Sequence, residues 1–148
     1  MRLVVQRVTR ASVTVDGEVT GKIGKGYMVL VGAEVGDTEA DARLCADKLA
    51  GLRVFVDDED KMNRGILDVN GAILLISQFT LYGDARHGRR PSFIKAARPE
   101  QAIPLYEYAI RRLSQSVPVE TGRFGAEMQV ALVNDGPVTI LIDSRKVF

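Results

Sequence analysis

The chain has 148 residues, of which 46% are hydrophobic and 26% are charged. This length and composition predict one domain spanning residues 1–148, with a hydrophobic core of its own and little room for a second domain. Twenty Lys and Arg against nineteen Asp and Glu give a formal net charge of +1. A uniformly basic nucleic-acid-binding surface is therefore excluded, and any contact with a polyanion must come from a local patch.

The N-terminal part of the chain predicts antiparallel strands. Residues 3–8 and 11–15 are rich in β-forming side chains, and Asp16-Gly17 between ASVTV and EVTGKI indicates a hairpin, because both central residues of such a turn adopt positive φ. Residues 27–33 (YMVLVGA) form a nearly continuous apolar run. Such a run is typical of a central strand covered on both faces.

The middle of the chain predicts a helix, a short strand and a core strand. Thr38 can cap a helix with Asp41 at the third helical position. Apolar residues then recur at helical spacing, at Ala42, Cys45, Leu49 and Leu52. Residues 53–56 predict a short strand, 57–65 (DDEDKMNRG) an irregular surface loop, and 72–80 (AILLISQFT) the next core strand.

The C-terminal part predicts a second helix over residues 100–113, with Pro104 tolerated in its first turn. The segments PVETG, AEMQVALV and VTILID then predict three further strands, with NDGP at 134–137 as the turn between the last two. These elements predict an α+β fold whose mainly antiparallel, barrel-like sheet is packed by two helices. A fold of this class does not by itself assign a function.

The only cysteine, Cys45, falls among the apolar positions of the first predicted helix, so we expect an inert, buried thiol in a reducing compartment. The opening MRLVVQRV shows no secretory leader, and no apolar run approaches the length of a membrane span. We expect a cytoplasmic protein with no membrane partner.

The usual catalytic signatures are absent from the sequence. His87 is the only histidine and has no second His or Cys pair, which makes a transition-metal site improbable, and no GxSxG accompanies it. The acidic run at 57–60 lacks EF-hand spacing, and no Gly-rich phosphate-binding motif follows a strand. We therefore expect neither a metal nor a cofactor.

Two segments carry polar residues of interest. Ser77, Gln78 and Thr80 end an apolar strand and can line a pocket, although Gln78 and Thr80 share one face and can equally point to solvent. The stretch 134–137 is by itself an ordinary turn, and X-Pro bonds are cis in only about 5–6% of cases. From these residues alone, a trans bond is the expectation.

A basic segment, RHGRRPSFIKAAR at 86–98, follows the polar strand end and contains no acidic residue. Its charge alone favours neither a nucleic-acid contact nor an ordinary solvated loop.

The motifs Ser77-Gln78-Phe79-Thr80 and NDGPVT at 134–139 together resemble the D-aminoacyl-tRNA deacylase family, whose members share SQxT and NxGPxT. The resemblance runs nearly the full length, including MRLVVQRVTRASVTVDGE, SQFTLYGDARHGRRPSF and ETGRFGAEMQVALVNDGPVT. It implies a cofactor-free homodimeric hydrolase that acts on the 3′ aminoacyl end of tRNA.

The resemblance also implies how the site distinguishes D-aminoacyl from L-aminoacyl substrates. The Gly136-Pro137 bond would be cis, and this loop of one subunit would enter the pocket of the other beside residues 77–80. Its main-chain atoms would accept the substrate's α-ammonium and occupy the volume that an L side chain needs. Glycine has no side chain on either hand, so hydrolysis of glycyl-tRNA mischarged on tRNA(Ala) is expected.

In this interpretation the N–H groups around Phe79 and Thr80 hold the ester carbonyl, and the ribose 2′-hydroxyl assists the attack of water. The alternative makes the Thr80 hydroxyl a covalent nucleophile. The expected substrate-binding residues are Gly136, Pro137, Asn134, Phe124, Met128 and Arg7. Core packing remains open for Phe124 and Met128, and surface exposure for Arg7.

The expected contacts to tRNA phosphates are Arg86, Arg89, Arg90 and Lys95. The main alternative function is a non-catalytic, tRNA-binding, translation-associated domain, and a second is a different acyl-ester hydrolase.

Overall fold

The computed structural model describes all 148 residues. The strands are β1 (Arg2–Val15), β2 (Glu18–Ile23), β3 (Gly26–Gly32), β4 (Phe55–Val56), β5 (Met62–Arg64), β6 (Ala72–Ser77), β7 (Val119–Thr121) and β8 (Gln129–Asp143). The helices are α1 (Glu39–Gly51) and α2 (Pro99–Ser114), and a single 3-10 helix spans Phe79–Tyr82.

The main sheet is organised around β1. Along one edge, β1 pairs antiparallel with β3 through residues 2–8 and with β2 through residues 11–15, and along the other edge it pairs antiparallel with β8. β3 continues the sheet in parallel with β6, and β6 pairs in parallel with β7. β2 also lies against β7, so the sheet curls towards closure. The predicted mainly antiparallel, barrel-like sheet is confirmed.

The two faces of the sheet bury separate cores. The outer face packs against α1 and α2 through a cluster of 24 buried residues. The inner face encloses seven more, which are Val8, Ala11, Val13, Ile23, Met28, Leu74 and Ile76. Alternation along β6 supplies both cores, because successive side chains of a strand point to opposite faces: Ile73 and Leu75 belong to the outer cluster, and Leu74 and Ile76 to the inner one. Full burial of an aliphatic side chain contributes about 1.5–3 kcal/mol.

The two predicted helices are present. α1 begins after Thr38, whose backbone N–H donates to the Asp41 carboxylate at 2.9 Å, as the capping pattern predicts. α2 begins at Pro99, so Pro104 lies beyond the first turn, and its predicted first-turn position is wrong. Because proline lacks an N–H, the helix loses one internal hydrogen bond there.

Several predicted strand limits are wrong. β1 is one continuous strand, and the predicted loop at 57–65 contains β5, which pairs with β4. β6 ends at Ser77, and the chain then turns into the 3-10 helix, so residues 78–80 do not continue the strand. The end of the chain holds two strands rather than three, because β8 runs through the predicted turn at 134–137.

The NDGP segment is a bulge within β8. Gln6 of β1 pairs with Thr139, and Val8 pairs with Asn134, so Arg7 alone lies opposite residues 135–138. The surplus residues of β8 are displaced from the ladder, as in other bulges. We refer to residues 135–138 as the β8 bulge.

Candidate active site

A cleft opens where β3 and β6 end. These strands are parallel, so their carboxyl ends meet at one edge of the sheet, which is where ligands bind in many sheets of this kind. The cavity has a volume of about 300 Å³. Its lining residues are Met1, Val31, Gly32, Ala33, Ile76, Ser77, Gln78, Phe79, Ala97, Ala102, Tyr106, Phe124, Gly125, Ala126, Met128 and Val130.

The predicted polar segment lies at this cleft. Gln78 is fixed to the neighbouring strand, because its backbone N–H donates to the Val31 carbonyl at 2.7 Å. Its side-chain Nε2 donates to the Thr80 hydroxyl at 2.5 Å. Ser77, Gln78 and Phe79 line the cavity directly, and Thr80 is exposed beside them. The structure therefore brings the four residues of the motif together at one edge of the cleft.

Gly32 allows this segment to approach β3 closely. A Cβ at Gly32 would lie 2.9 Å from the Gln78 carbonyl oxygen and 3.2 Å from Leu81 Cβ. The missing side chain therefore lets the start of the 3-10 helix pack on the end of β3. This role could not be predicted from the sequence, since a glycine at the end of an apolar run carries no sign of a contact 46 residues away in the chain.

The start of the 3-10 helix presents two backbone donors. The first internal hydrogen bonds run from Leu81 N to the Gln78 oxygen (3.3 Å) and from Gly83 N to the Thr80 oxygen (2.9 Å). The N–H groups of Phe79 and Thr80 precede them and are not used by the helix, as at every helix N-terminus. Two adjacent N–H groups beside a cleft can stabilise a developing oxyanion.

The inner wall of the cleft is apolar. Phe124 and Met128, both half-buried, are part of it, and both also pack against the hydrophobic cores, so they combine the two roles that the sequence left open. Tyr106 of α2 packs near Phe124 with ring centroids 6.1 Å apart and donates its hydroxyl to the Leu75 carbonyl at 2.6 Å. Burial raises the pKa of Tyr106 to about 12. Tyr106 is therefore a neutral wall residue and cannot act as a general base near neutral pH.

The β8 bulge is held rigidly at the surface. Gly136 and Pro137 are exposed, their peptide bond is cis, and neither residue lines the cleft of its own chain. Arg7 Nε donates to the Asp135 carbonyl at 3.1 Å, and Val138 N donates to Asn134 Oδ1 at 3.1 Å. Arg7 is only 9% exposed, so the alternative of a surface position for Arg7 is wrong.

The basic segment at 86–98, called the basic loop below, is anchored next to the cleft. Asp84 and Ser92 exchange two backbone hydrogen bonds of 2.8 and 2.9 Å, which close the loop. Lys95 accepts a backbone hydrogen bond from Val35 at 2.9 Å, and this joins the loop to the chain just after β3. The four predicted phosphate contacts, Arg86, Arg89, Arg90 and Lys95, are all exposed.

Most of the charge of this loop is uncompensated. Arg86 pairs with Asp84 at 2.6 Å, and its hydrogen bonds hold the pKa of the Asp84 carboxyl well below its usual range. No ion pair involves Arg89, Arg90 or Lys95. Arg89, Arg90 and Lys95 are therefore free cations on the surface of the basic loop.

His87 and Cys45 lie outside the cleft. His87 is exposed on the basic loop, in a separate depression of about 420 Å³ that Asp84, Arg90 and Lys95 also line. Cys45 is 1% exposed, so its predicted buried position is confirmed, and burial raises its pKa to about 12. No group of three or more His, Cys, Asp or Glu side chains has a geometry that could hold a metal ion. No helix combines the length and apolarity needed to cross a membrane.

Comparison with known sequences gives a consistent result. The family model described as D-Tyr-tRNA(Tyr) deacylase matches residues 4–143. The D-aminoacyl-tRNA deacylase of Symbiobacterium thermophilum is 62% identical, with 100% of this chain and 99% of that protein aligned. The D-aminoacyl-tRNA deacylase of Bacillus pumilus is 59% identical, with 99% of this chain and 100% of that protein aligned.

Solved structures share the fold. The c-Myc DNA Unwinding Element Binding Protein superposes with a TM-score of 0.91 at 41% identity, covering 97% of this chain and 98% of that one. A probable eukaryotic D-amino acid tRNA deacylase superposes with a TM-score of 0.81 at 17% identity, covering 96% and 98% respectively. At 17% identity, the second likeness shows the fold alone.

Proposed function

We propose that this chain, which belongs to the D-Tyr-tRNA(Tyr) deacylase family, hydrolyses the ester bond of D-aminoacyl-tRNA and releases the free D-amino acid and the tRNA. The observation that carries the proposal is the Ser77–Thr80 segment, whose two unused backbone N–H groups lie at the edge of an apolar cleft beside free cations. The cleft suits an aminoacyl group, and the cations suit an RNA. We propose that residues 1–148 act as one deacylase domain.

In the proposed reaction, a water oxygen attacks the ester carbonyl carbon, and the bond from that carbon to the ribose oxygen breaks. The ribose oxygen takes up a proton, and the amino acid leaves as a carboxylate. The N–H groups of Phe79 and Thr80 stabilise the oxyanion, while Ser77 and Gln78 orient the substrate. The ribose 2′-hydroxyl assists proton movement, which removes the need for a histidine base.

The hydrogen bonding of Thr80 favours this route over a covalent one. A threonine nucleophile ordinarily requires a neighbouring base to accept its proton. The Thr80 hydroxyl is instead bonded to Gln78 Nε2, an amide donor that cannot accept a proton. Thr80 therefore serves as a positioning group for Gln78 in the proposed mechanism.

Selection against L substrates is assigned to the β8 bulge of a second copy of the chain. Gly136 and Pro137 are exposed on a bulge that Arg7 and Asn134 fix in place, and they do not line the cleft of their own chain. Main-chain atoms cannot rotate aside as a side-chain rotamer can, so the bulge forms a firm wall. Glycine has no side chain for this wall to exclude. Hydrolysis of glycyl-tRNA mischarged on tRNA(Ala) is therefore part of the proposal.

A homodimer is also proposed, because the open edge of β8 offers a surface for a second copy of the chain. β8 pairs with β1 alone, so 15 residues of strand keep one edge without a neighbour. Long open edges are normally covered by another chain or element. A cytoplasmic location, where aminoacyl-tRNA is found, is part of the same proposal.

The tRNA is proposed to contact the basic loop through its phosphates. Exposed cations bind phosphate groups whatever the base sequence is. The loop would therefore accept many tRNAs, and its affinity would fall as the salt concentration rises. Arg89, Arg90 and Lys95 are free for this contact, whereas Arg86 must share its charge with Asp84.

The test is a parallel assay of D-tyrosyl-tRNA and L-tyrosyl-tRNA with the purified protein. We expect release of D-tyrosine and survival of the L ester. Cleavage of both would indicate a different acyl-ester hydrolase on the same scaffold. Binding of tRNA without cleavage of either would indicate the non-catalytic tRNA-binding alternative.

A further inference from the structure

Two exposed phenylalanine rings lie together at the edge of the cleft. Phe79 is 55% exposed and Phe93 is 39% exposed, and their ring centroids are 5.2 Å apart with planes inclined by 70°. In such an edge-to-face pair, the ring that contributes its edge keeps both of its faces free of the partner. We call this pair the aromatic step.

The aromatic step joins the two parts of the proposed site. Phe79 lines the acyl cleft, and Phe93 belongs to the basic loop, with Lys95 two residues further on. The Phe93 ring packs closely on Gly83, since a Cβ at Gly83 would lie only 3.0 Å from Phe93 Cε1. The step therefore lies where the cleft meets the basic loop, so an RNA strand bound to both can contact it.

We propose that the aromatic step stacks an unpaired base of the tRNA 3′ end, upstream of the terminal adenosine. This inference rests on the proposed function, which places the aminoacyl ester in the cleft and phosphates on the basic loop. The bases between those two points are single-stranded, and proteins hold such bases by stacking them on exposed aromatic rings. The surrounding charge fits this partner, since the free cations beside the step attract a polyanion.

Stacking on a phenylalanine ring is tolerant of base identity, because every base has a π face. The step therefore adds affinity without restricting the choice of tRNA. Loss of one such stacking interaction weakens binding by about 5- to 150-fold.

The test compares Phe93→Leu and Phe93→Tyr on two substrates. One substrate is D-tyrosyl-tRNA, and the other is D-tyrosyl-adenosine, which lacks every upstream nucleotide. We expect Phe93→Leu to lower kcat/KM about 5- to 150-fold for the tRNA and to leave the adenosine ester unchanged. Phe93→Tyr keeps an aromatic ring and should match the wild type on both substrates. Ile94→Ala removes an apolar side chain that is 86% exposed on the same loop and should also match the wild type.

Three results would overturn the proposal. An equal loss on both substrates would mean that Phe93 only supports the cleft. No loss on either would mean that no base stacks there. A change of sedimentation coefficient in Phe93→Leu would mean that the step is covered by a second copy of the chain.

A binding assay separates failure of this inference from failure of the proposed function. The RNA in this assay is a hairpin that carries no amino acid. It has an unpaired 3′ end with 2-aminopurine next to the terminal adenosine. Fluorescence quenching by the wild type and its loss in Phe93→Leu support the step, even if no ester is cleaved. Absence of quenching by the wild type overturns it, even if D-tyrosyl-tRNA is hydrolysed.

Discussion

Arg7 Nε donates a 3.1 Å hydrogen bond to the main-chain oxygen of Asp135, so a buried side chain of β1 holds the residue that precedes Gly136. The guanidinium also donates through Nη1 to the Val54 carbonyl. It thereby ties the β8 bulge to the segment that follows α1. Together with Asn134, which accepts a hydrogen bond from Val138 N, Arg7 fixes the bulge in place.

Replacement of Arg7 should loosen the bulge. In Arg7→Lys a single ammonium replaces the planar guanidinium. It cannot donate to both the Asp135 and the Val54 carbonyls, so one carbonyl loses its donor. We expect a loss of about 1–3 kcal/mol in the free energy of unfolding, measured by urea denaturation, together with faster cleavage of L-tyrosyl-tRNA. Arg10→Lys, on the same strand but exposed, is the matched control. Equal behaviour of the two variants would mean that Arg7 does not hold the bulge.

A side chain at Gly136 should disturb the proposed wall directly. The residue has φ of +129°, and a Cβ there would lie 2.8 Å from Val138 Cγ2 and 3.1 Å from Arg7 Nη2. We expect Gly136→Ala to lower the rate of D-tyrosyl-tRNA cleavage at least about 10-fold, equivalent to about 1.4 kcal/mol in the barrier.

Gly17→Ala provides the control for a substitution at positive φ. Gly17 has φ of +79° in the β1–β2 turn, and nothing lies within 4 Å of a Cβ placed there. This variant should lose stability through backbone strain alone, about 1–2 kcal/mol, and keep full deacylase activity. A Gly136→Ala enzyme as active as Gly17→Ala would remove the bulge from the mechanism.

Part of this arrangement could be predicted from the sequence. The cap of α1 and the presence of a helix at α2 follow from local patterns, and the structure bears them out. The β8 bulge is different, because its existence depends on the register against β1, more than 120 residues away in the chain. An NDGP segment reads locally as a turn, and only the long pairing on both sides keeps it within one strand.

The candidate site likewise combines features that local sequence predicts with features that depend on long-range contacts. Motif residues and the apolar lining at Phe124 and Met128 could be anticipated, but the burial of Arg7 could not, since an arginine early in an amphipathic strand gives no local sign of its partner. The place of Tyr106 in the cleft wall could not be predicted either, because the packing of α2 against the cleft is a tertiary feature.

Binding of tRNA to the basic loop should depend on salt. Each phosphate contact that is lost reduces the slope of log affinity against log salt by about 1. We expect this reduction for Arg90→Gln, which removes an unpaired, exposed cation next to the cleft. Arg111→Gln removes an equally exposed charge from α2 and should leave the slope unchanged. Filter binding between 50 and 200 mM salt, about the range in which such contacts weaken most, measures both. An affinity that does not vary with salt in the wild type would contradict a phosphate-binding role.

Cys45 should report the integrity of the core. Burial raises its pKa from 9.0 to about 12, so the folded protein holds a proton that the unfolded chain releases as pH rises. The stability contributed by the neutral thiol is therefore fully present below about pH 9 and is lost as pH rises towards 12. At pH 8, iodoacetamide should label the native protein far more slowly than the urea-unfolded protein, as followed by mass spectrometry. Equal labelling rates would show that the thiol is not buried.

Mixed dimers test most directly whether the β8 bulge acts on the cleft of the other subunit. One chain carries Gln78→Ala with Thr80→Ala, the other carries Gly136→Ala, and the mixed dimer is isolated by two affinity tags. One cleft then keeps its own motif and faces an unaltered bulge from its partner, so D-tyrosyl-tRNA cleavage should return to about half the wild-type rate, as expected for two equivalent sites. Activity no greater than that of either parent dimer would mean that the bulge does not act on the cleft of its partner.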